Sequence, residues 1–219
     1  MPTTGTTTGT TTKGQRTRRR IVERAAPVFN QRGYAGASMR ELVVATGLEK
    51  GGLYNHFGSK EALAVASFDH AVDIVGECLS TARASEENAV DQLIAVVRAF
   101  ARGARRPLLP GGCPIMNTAI EADDTNPELR AHARVAMNDW HRLIGSIVKH
   151  GTEVGEVVAG TDPFALATVV TSALEGALML SRLYDDPAHM DRVVDHLVAH
   201  IEQVRAPVPR SRRTTAKAQ

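Results

Sequence analysis

Cysteine is nearly absent: Cys78 and Cys113 are the only two in 219 residues. A single pair frames neither a disulfide scaffold nor a four-cysteine metal site, and it suits a reducing cytoplasm. Aromatic residues make up only 4% of the chain. Sheets favour aromatic and β-branched side chains, so this scarcity, beside an abundance of Ala, Val and Leu, predicts packed helices. Strict alternation of apolar and polar residues is missing as well. The first fourteen residues, a Thr/Gly tract, hold no apolar run. They resemble neither a secretory signal nor a membrane anchor and are expected to form a disordered tail. Long hydrophobic runs are limited to one, from Phe164 to Leu183, and Glu175 interrupts it. With no second run, burial between its own core and a second subunit is a better account of that segment than a membrane span.

Catalytic and metal signatures are lacking too. No nucleophile motif, phosphate-cradling loop or paired Glu-x-x-His pattern is found. His196 and His200 stand one turn apart, with no cysteine or second pair to complete a metal site. Neither an enzyme nor a bound cofactor is expected.

What is present starts with 43% hydrophobic residues, enough for a real core. The overall charge of +2 conceals a division. Residues 13–60 hold ten Lys/Arg against three Asp/Glu, whereas residues 61–204 hold eleven against twenty-one. A basic N-terminal part on an acidic body suits contact with a polyanion through that part alone. Chance clustering on a solvated surface is the plainer alternative.

Apolar residues recur at helical spacing, as in Ile21, Ala25, Val28, Phe29 and in Val90, Leu93, Ile94, Val97, Phe100. Ser38 with Glu41 predicts a capping box, and Ser59 another N-cap. Asn126-Pro127, Asp162-Pro163 and Asp186-Pro187 each place a capping oxygen before a proline suited to a first helical position. About nine helices and no sheet are expected.

The segment from Ser38 to Leu63 carries the strongest functional signal. A capped helix runs to Thr46, Gly47 permits a sharp turn, Leu48 plugs it, and a second helix spans about Lys50 to Phe57. Leu53 and Phe57 face inward; Lys50, Gly51, Gly52, Tyr54, Asn55 and His56 face out. Lys50, Tyr54, His56 and Lys60 offer donors to phosphate oxygens, and the helix start at Ser38 offers backbone N–H groups. Gly51-Gly52 lets backbone lie close to base edges, or is a weakened surface turn. Arg16, Arg18, Arg19 and Arg20 form a basic arm suited to phosphates or a minor groove, and Arg210-Ser-Arg-Arg213 another basic run.

These residues resemble the DNA-binding domain of TetR/AcrR-type regulators. The pattern Leu-Tyr-x-His-Phe-x-x-Lys-Glu-x-Leu is intact from Leu53 to Leu63, and Arg20 to Tyr34 is similar to the family's first helix. The likeness is specific over about residues 16–66. It implies an all-α fold: a three-helix DNA-binding domain at 15–62, a helical ligand-binding and dimerisation domain at 63–204, and tails at 1–14 and 205–219. It also implies that Arg40 reaches a base or a phosphate, that Lys50, Gly51 and Gly52 approach bases, and that Tyr54, His56 and Lys60 clamp the backbone. Val43 stands where a small alanine is common.

In such a regulator an effector tilts two reading heads away from successive major grooves. Phe68, Phe100, Met116, Trp140 and Met179 are large, adaptable residues at plausible inward positions, suited to core or ligand. Glu175 pairs with Arg182 or a partner-chain base, or else lines a ligand site. Cys113, before Pro114 at a helix start, is a small buried residue or a reactive thiolate, and Gly112-Cys113 resembles a family branch whose cysteine reports electrophiles or oxidants. Asn117 and Glu121 follow on the same helix. The expected protein is a cytoplasmic homodimeric repressor on double-stranded operator DNA, released by a small molecule or by Cys113 modification, with no membrane partner. A constitutive DNA binder and an all-helical enzyme are the alternatives.

Overall fold

The computed structural model describes residues 12–207. Among them, nine helices follow in order: α1 (Lys13–Gly36), α2 (Met39–Thr46), α3 (Lys50–Phe57), α4 (Lys60–Ala84), α5 (Ala89–Arg105), α6 (Pro114–Ala122), α7 (Pro127–Glu153), α8 (Pro163–Leu183) and α9 (Ala188–Gln203). The all-helical reading and the helix number agree with this. One isolated antiparallel bridge joins Val157 and Arg205.

Capping chemistry sets most boundaries where the sequence placed them. Ser59 Oγ accepts from Ala62 N at 3.0 Å, and Asp162 Oδ1 accepts from Phe164 N at 2.8 Å and Ala165 N at 3.1 Å. The Asp186-Pro187 pair works one step earlier than predicted. Pro187 takes the N-cap position, and Asp186 Oδ1 accepts from Ala188 N at 2.9 Å.

Most of the two expected tails, with Arg210 to Arg213, lies outside the described residues. Their inner edges differ from the expectation. Thr12 and Gln15 form a capping box that draws Lys13 and Gly14 into α1. Arg205 is held by Asn88 Oδ1 at 2.9 Å, Asp91 Oδ1 at 2.6 Å and Glu202 Oε2 at 2.7 Å, because a guanidinium fork satisfies several acceptors at once.

The chain divides into two compact units, residues 12–78 with 103–139, and residues 79–102 with 140–207. In the first, Ile21, Ala25, Phe29, Leu42, Leu53, Phe57 and Leu63 share one buried cluster. Burial of each large member stabilises by roughly 1.5–3 kcal/mol. Helix α6 packs on α1 within this unit.

The second unit buries Val90, Leu93, Ile94, Val97, Ile144, Ile147, Leu174, Leu197 and Ile201, with α8 against α9. Helix α8 is the one described helix long and apolar enough to cross a membrane. Its core-facing arc includes Leu166, Val170, Leu174 and Leu178, while Phe164, Val169, Met179 and Leu183 are exposed. One face of α8 is therefore open in the single chain, where α9 covers only part of its circumference.

Candidate nucleic-acid interface

Helices α1, α2 and α3 make a small frame whose joints are polar and whose centre is apolar. Ser38 and Glu41 bond each other's backbone N–H groups at 2.9 and 3.2 Å. These bonds from Ser38, backbone first, hold the Glu41 carboxyl below the usual glutamate range. At the far end of α2, Gly47 adopts φ 69° and ψ 24°, the left-handed conformation that turns the chain toward α3. Leu48 packs against the buried cluster beneath this turn, and Val43 fits half-buried on the same cluster.

Two arginines of α1 hold the carbonyl ends of the following helices. Arg24 donates to Thr46 O at 3.2 Å, at the end of α2. Arg18 donates to His56 O near the end of α3, and its guanidinium lies 3.9 Å from the Phe57 ring centroid. A cation at a helix C-terminus complements the helix dipole. The sequence reading assigned Arg18 to a DNA-seeking arm and passed over Arg24. The only available signal was a basic helix preceding two short ones, since the contacts span 38 and 22 residues.

Helix α3 presents the predicted face. Leu53 and Phe57 are buried; Lys50, Gly51, Tyr54 and Asn55 are exposed; Gly52 and His56 are half-buried. Lys50 Nζ sits 5.8 Å from the Tyr54 ring centroid, and Arg40 and Ser38 are exposed at the neighbouring helix start. A Cβ on Gly51 would meet nothing within 4 Å, and one on Gly52 only Leu48 Cβ at 3.8 Å. Neither glycine has a positive φ. The fold itself therefore requires glycine at neither position.

Tyr34 ties three elements together. Its hydroxyl donates to Glu61, its carbonyl accepts from Lys60 Nζ at 2.6 Å, and its N–H donates to Glu121 Oε2 at 2.8 Å. The Glu61 bond raises the tyrosine pKa to about 12 and lowers that of Glu61. Lys60, nominated as a phosphate donor, thus commits one donor to the α1 exit. Its ammonium also lies 4.6 Å from the Tyr34 ring centroid.

The family described as bacterial regulatory proteins, tetR family, matches residues 21–66, and the tetracyclin repressor-like C-terminal domain matches residues 89–197. A solved TetR transcriptional regulator from Chloroflexus aurantiacus is 44% identical with a TM-score of 0.85, and the match covers 89% of this chain and 99% of that one. A TetR-family regulator from Cytophaga hutchinsonii is 35% identical with a TM-score of 0.86, covering 91% and 100%. The HTH-type transcriptional repressor DhaR of Mycobacterium sp. strain GP1 is 23% identical over 175 residues, 80% of this chain and 87% of that protein. The chain belongs to the TetR family.

It is a TetR-family DNA-binding transcriptional regulator, with an N-terminal helix-turn-helix and a C-terminal helical domain. The structure distributes its nominated effector residues over both units. Phe68, Asn117 and Glu121 line a cleft of about 370 Å³ in the first. Asn117 donates to Asn30 O at 3.2 Å and Gly111 O at 2.9 Å, and Glu121 accepts from the N–H groups of Tyr34 and Ala35, both at 2.8 Å. Both side chains hook α6 onto the end of α1. Gly33 makes this possible: at φ 74° it breaks α1, and a Cβ there would stand 2.5 Å from Glu121 Oε2.

Cys113 is buried as the N-cap of α6, with Pro114 at the first position as predicted, and Met116 is half-buried one turn in. In the second unit the Phe100 and Trp140 rings stack with centroids 5.1 Å apart. Glu175 is buried on the core side of α8. Met179, expected to point inward, is exposed, because it falls just beyond the buried arc that ends at Leu178 and Glu175. His141, unmarked in the sequence, meets Thr171 Oγ1 at 3.0 Å, and burial lowers its pKa.

Proposed function

We propose that the protein is a cytoplasmic, homodimeric repressor whose α2–α3 face reads double-stranded operator DNA. The observation that carries the reading is the exposed start of α3, where two adjacent glycines serve neither backbone geometry nor internal packing. Close approach of a duplex to that backbone explains them. Arg40, Lys50, Gly51 and Gly52 take the bases, while Ser38, Tyr54, Asn55, His56 and the remaining donors of Lys60 take phosphates. Residues 15–62 act as the DNA-binding domain and 63–204 as the ligand-binding and dimerisation domain.

A second copy covers the apolar residues that α8 leaves exposed, Phe164, Val169, Met179 and Leu183. Two heads then meet two half-sites about one helical turn apart. A small effector releases the protein from DNA, as does modification of Cys113, whose place at the start of α6 puts it on the helix that grips α1. No catalytic role is assigned. The test is duplex binding by fluorescence anisotropy against salt, beside sedimentation of Met179→Glu. Binding that ignores salt, or an unchanged oligomeric state, would refute the corresponding part.

A further inference from the structure

We propose that the cleft between α1, α4, α6 and the start of α7 is an effector site. Its ligand is a small, neutral, mainly apolar molecule carrying one hydroxyl or carbonyl group. The proposal rests on the chain being a ligand-responsive regulator and names the place and chemistry of that response. The cleft, about 370 Å³ and contained in the first unit, is of ligand size. Phe29, Ala64, Phe68 and Leu129 give it apolar walls.

Ser67 makes it more than a packing gap. Ser67 lines the cleft, is 1% exposed, and its buried Oγ has no hydrogen-bond partner. Buried hydroxyls on helices ordinarily return to a carbonyl one turn back, as Thr46 does to Leu42 O at 2.7 Å and Thr171 to Ala167 O at 2.9 Å. A buried hydroxyl left unsatisfied is costly, and a ligand oxygen in the cleft removes that cost.

The other polar groups around the cleft set its selectivity. The Asn30 and Asn117 amides and the Glu121 carboxylate already bond the protein, so they offer position more than new hydrogen bonds. Arg32 also lines the cleft, with Nε 3.3 Å from Glu41 Oε1. An anion would face the Glu121 carboxylate across an apolar floor, so a neutral molecule is favoured.

Occupancy has a route to DNA affinity. Asn117 and Glu121 hold α6 to the end of α1, and α1 carries the arginines that hold the ends of α2 and α3. A molecule that pushes α6 from α1 strains those same bonds and lowers DNA affinity.

The experiment uses the full chain, 1-naphthol as neutral probe, 1-naphthoate as anionic control, and a duplex enriched from a randomised pool by the protein itself. Naphthol is expected to bind once per chain, raise the melting temperature and weaken duplex binding at least about fivefold, while naphthoate does none of these. Ser67→Ala is expected to weaken naphthol binding about 3- to 10-fold, the loss of one hydrogen bond. Thr118→Phe, which fills the cleft from α6, is expected to abolish it and to weaken duplex binding without the probe. Proton–proton contacts from naphthol to Phe68 and Leu129 in the wild-type protein locate the probe without relying on any variant. Absence of binding, contacts elsewhere, or equal binding of naphthoate overturns the site, and binding without change in duplex affinity overturns its effector role. Duplex binding with no naphthol binding leaves the regulator reading standing; failure to bind any duplex sinks that reading whatever the probe does.

Discussion

Replacing Gly51 by alanine should raise stability and weaken DNA binding in one step. The position is helical, without positive φ, and the added methyl meets nothing in the protein within 4 Å. Alanine therefore gains up to about 1 kcal/mol of helix propensity, with no steric penalty inside the fold. For a chain of this size that gain raises the melting temperature by roughly 2–4 °C. If duplex backbone or base edges lie against that Cα, the same methyl overpacks the interface at a cost of about 1–3 kcal/mol, or about 5- to 150-fold in affinity. Gly76 in α4 is the control, since it too is helical and its Cβ would meet nothing within 4 Å. Gly76→Ala should give a comparable thermal gain with no binding loss. Melting by circular dichroism and anisotropy titration of the selected duplex read both quantities. Undiminished duplex affinity for Gly51→Ala would refute the idea that the start of α3 is where DNA comes closest.

Lys50→Met should cost about 1–3 kcal/mol on the selected duplex and much less on an unrelated one, as loss of one base contact does. Arg18→Met, retaining an apolar stem over Phe57 but losing the bond to His56 O, should cost about 1 kcal/mol in denaturant unfolding, with duplex affinity falling alongside. Glu121→Ala strands the N–H groups of Tyr34 and Ala35 and should cost about 2 kcal/mol, whereas Ile120→Ala, beside it and exposed, should be nearly neutral. Glu41 and Glu61 are held below the usual glutamate value of 4.5 in the fold, so their stabilisation is complete above that value and is lost as pH falls through their lowered folded values. An acid titration of unfolding should therefore show a shallower acid loss for Glu61→Gln than for wild type; identical slopes would remove the Tyr34–Glu61 bond from that account.

The local grammar of this chain was written in adjacent residues. Ser38 with Glu41, Gly47, Ser59 and Asp162 each act within four positions of themselves, so helix limits and the inward turn of Leu53 and Phe57 were legible before any fold was known. The outward face of α3 followed from the same period. Tertiary structure decided the fate of residues whose partners lie far along the chain. Nothing in the residues around Asn117 and Glu121 shows that they meet Asn30, Tyr34 and Ala35 from more than eighty residues away. Met179 looked internal because its helix is apolar almost all round, but how much of that circumference is covered depends on which helix packs there. Ser67 carries no sequence signal at all; only the packing around α4 leaves its hydroxyl buried and without a bond. Short-range hydrogen bonds and helical period are properties of neighbouring residues, so the sequence alone determines them. Which side chains share a cavity or an ion pair is set by the meeting of distant segments, and that is decided only when the chain is folded.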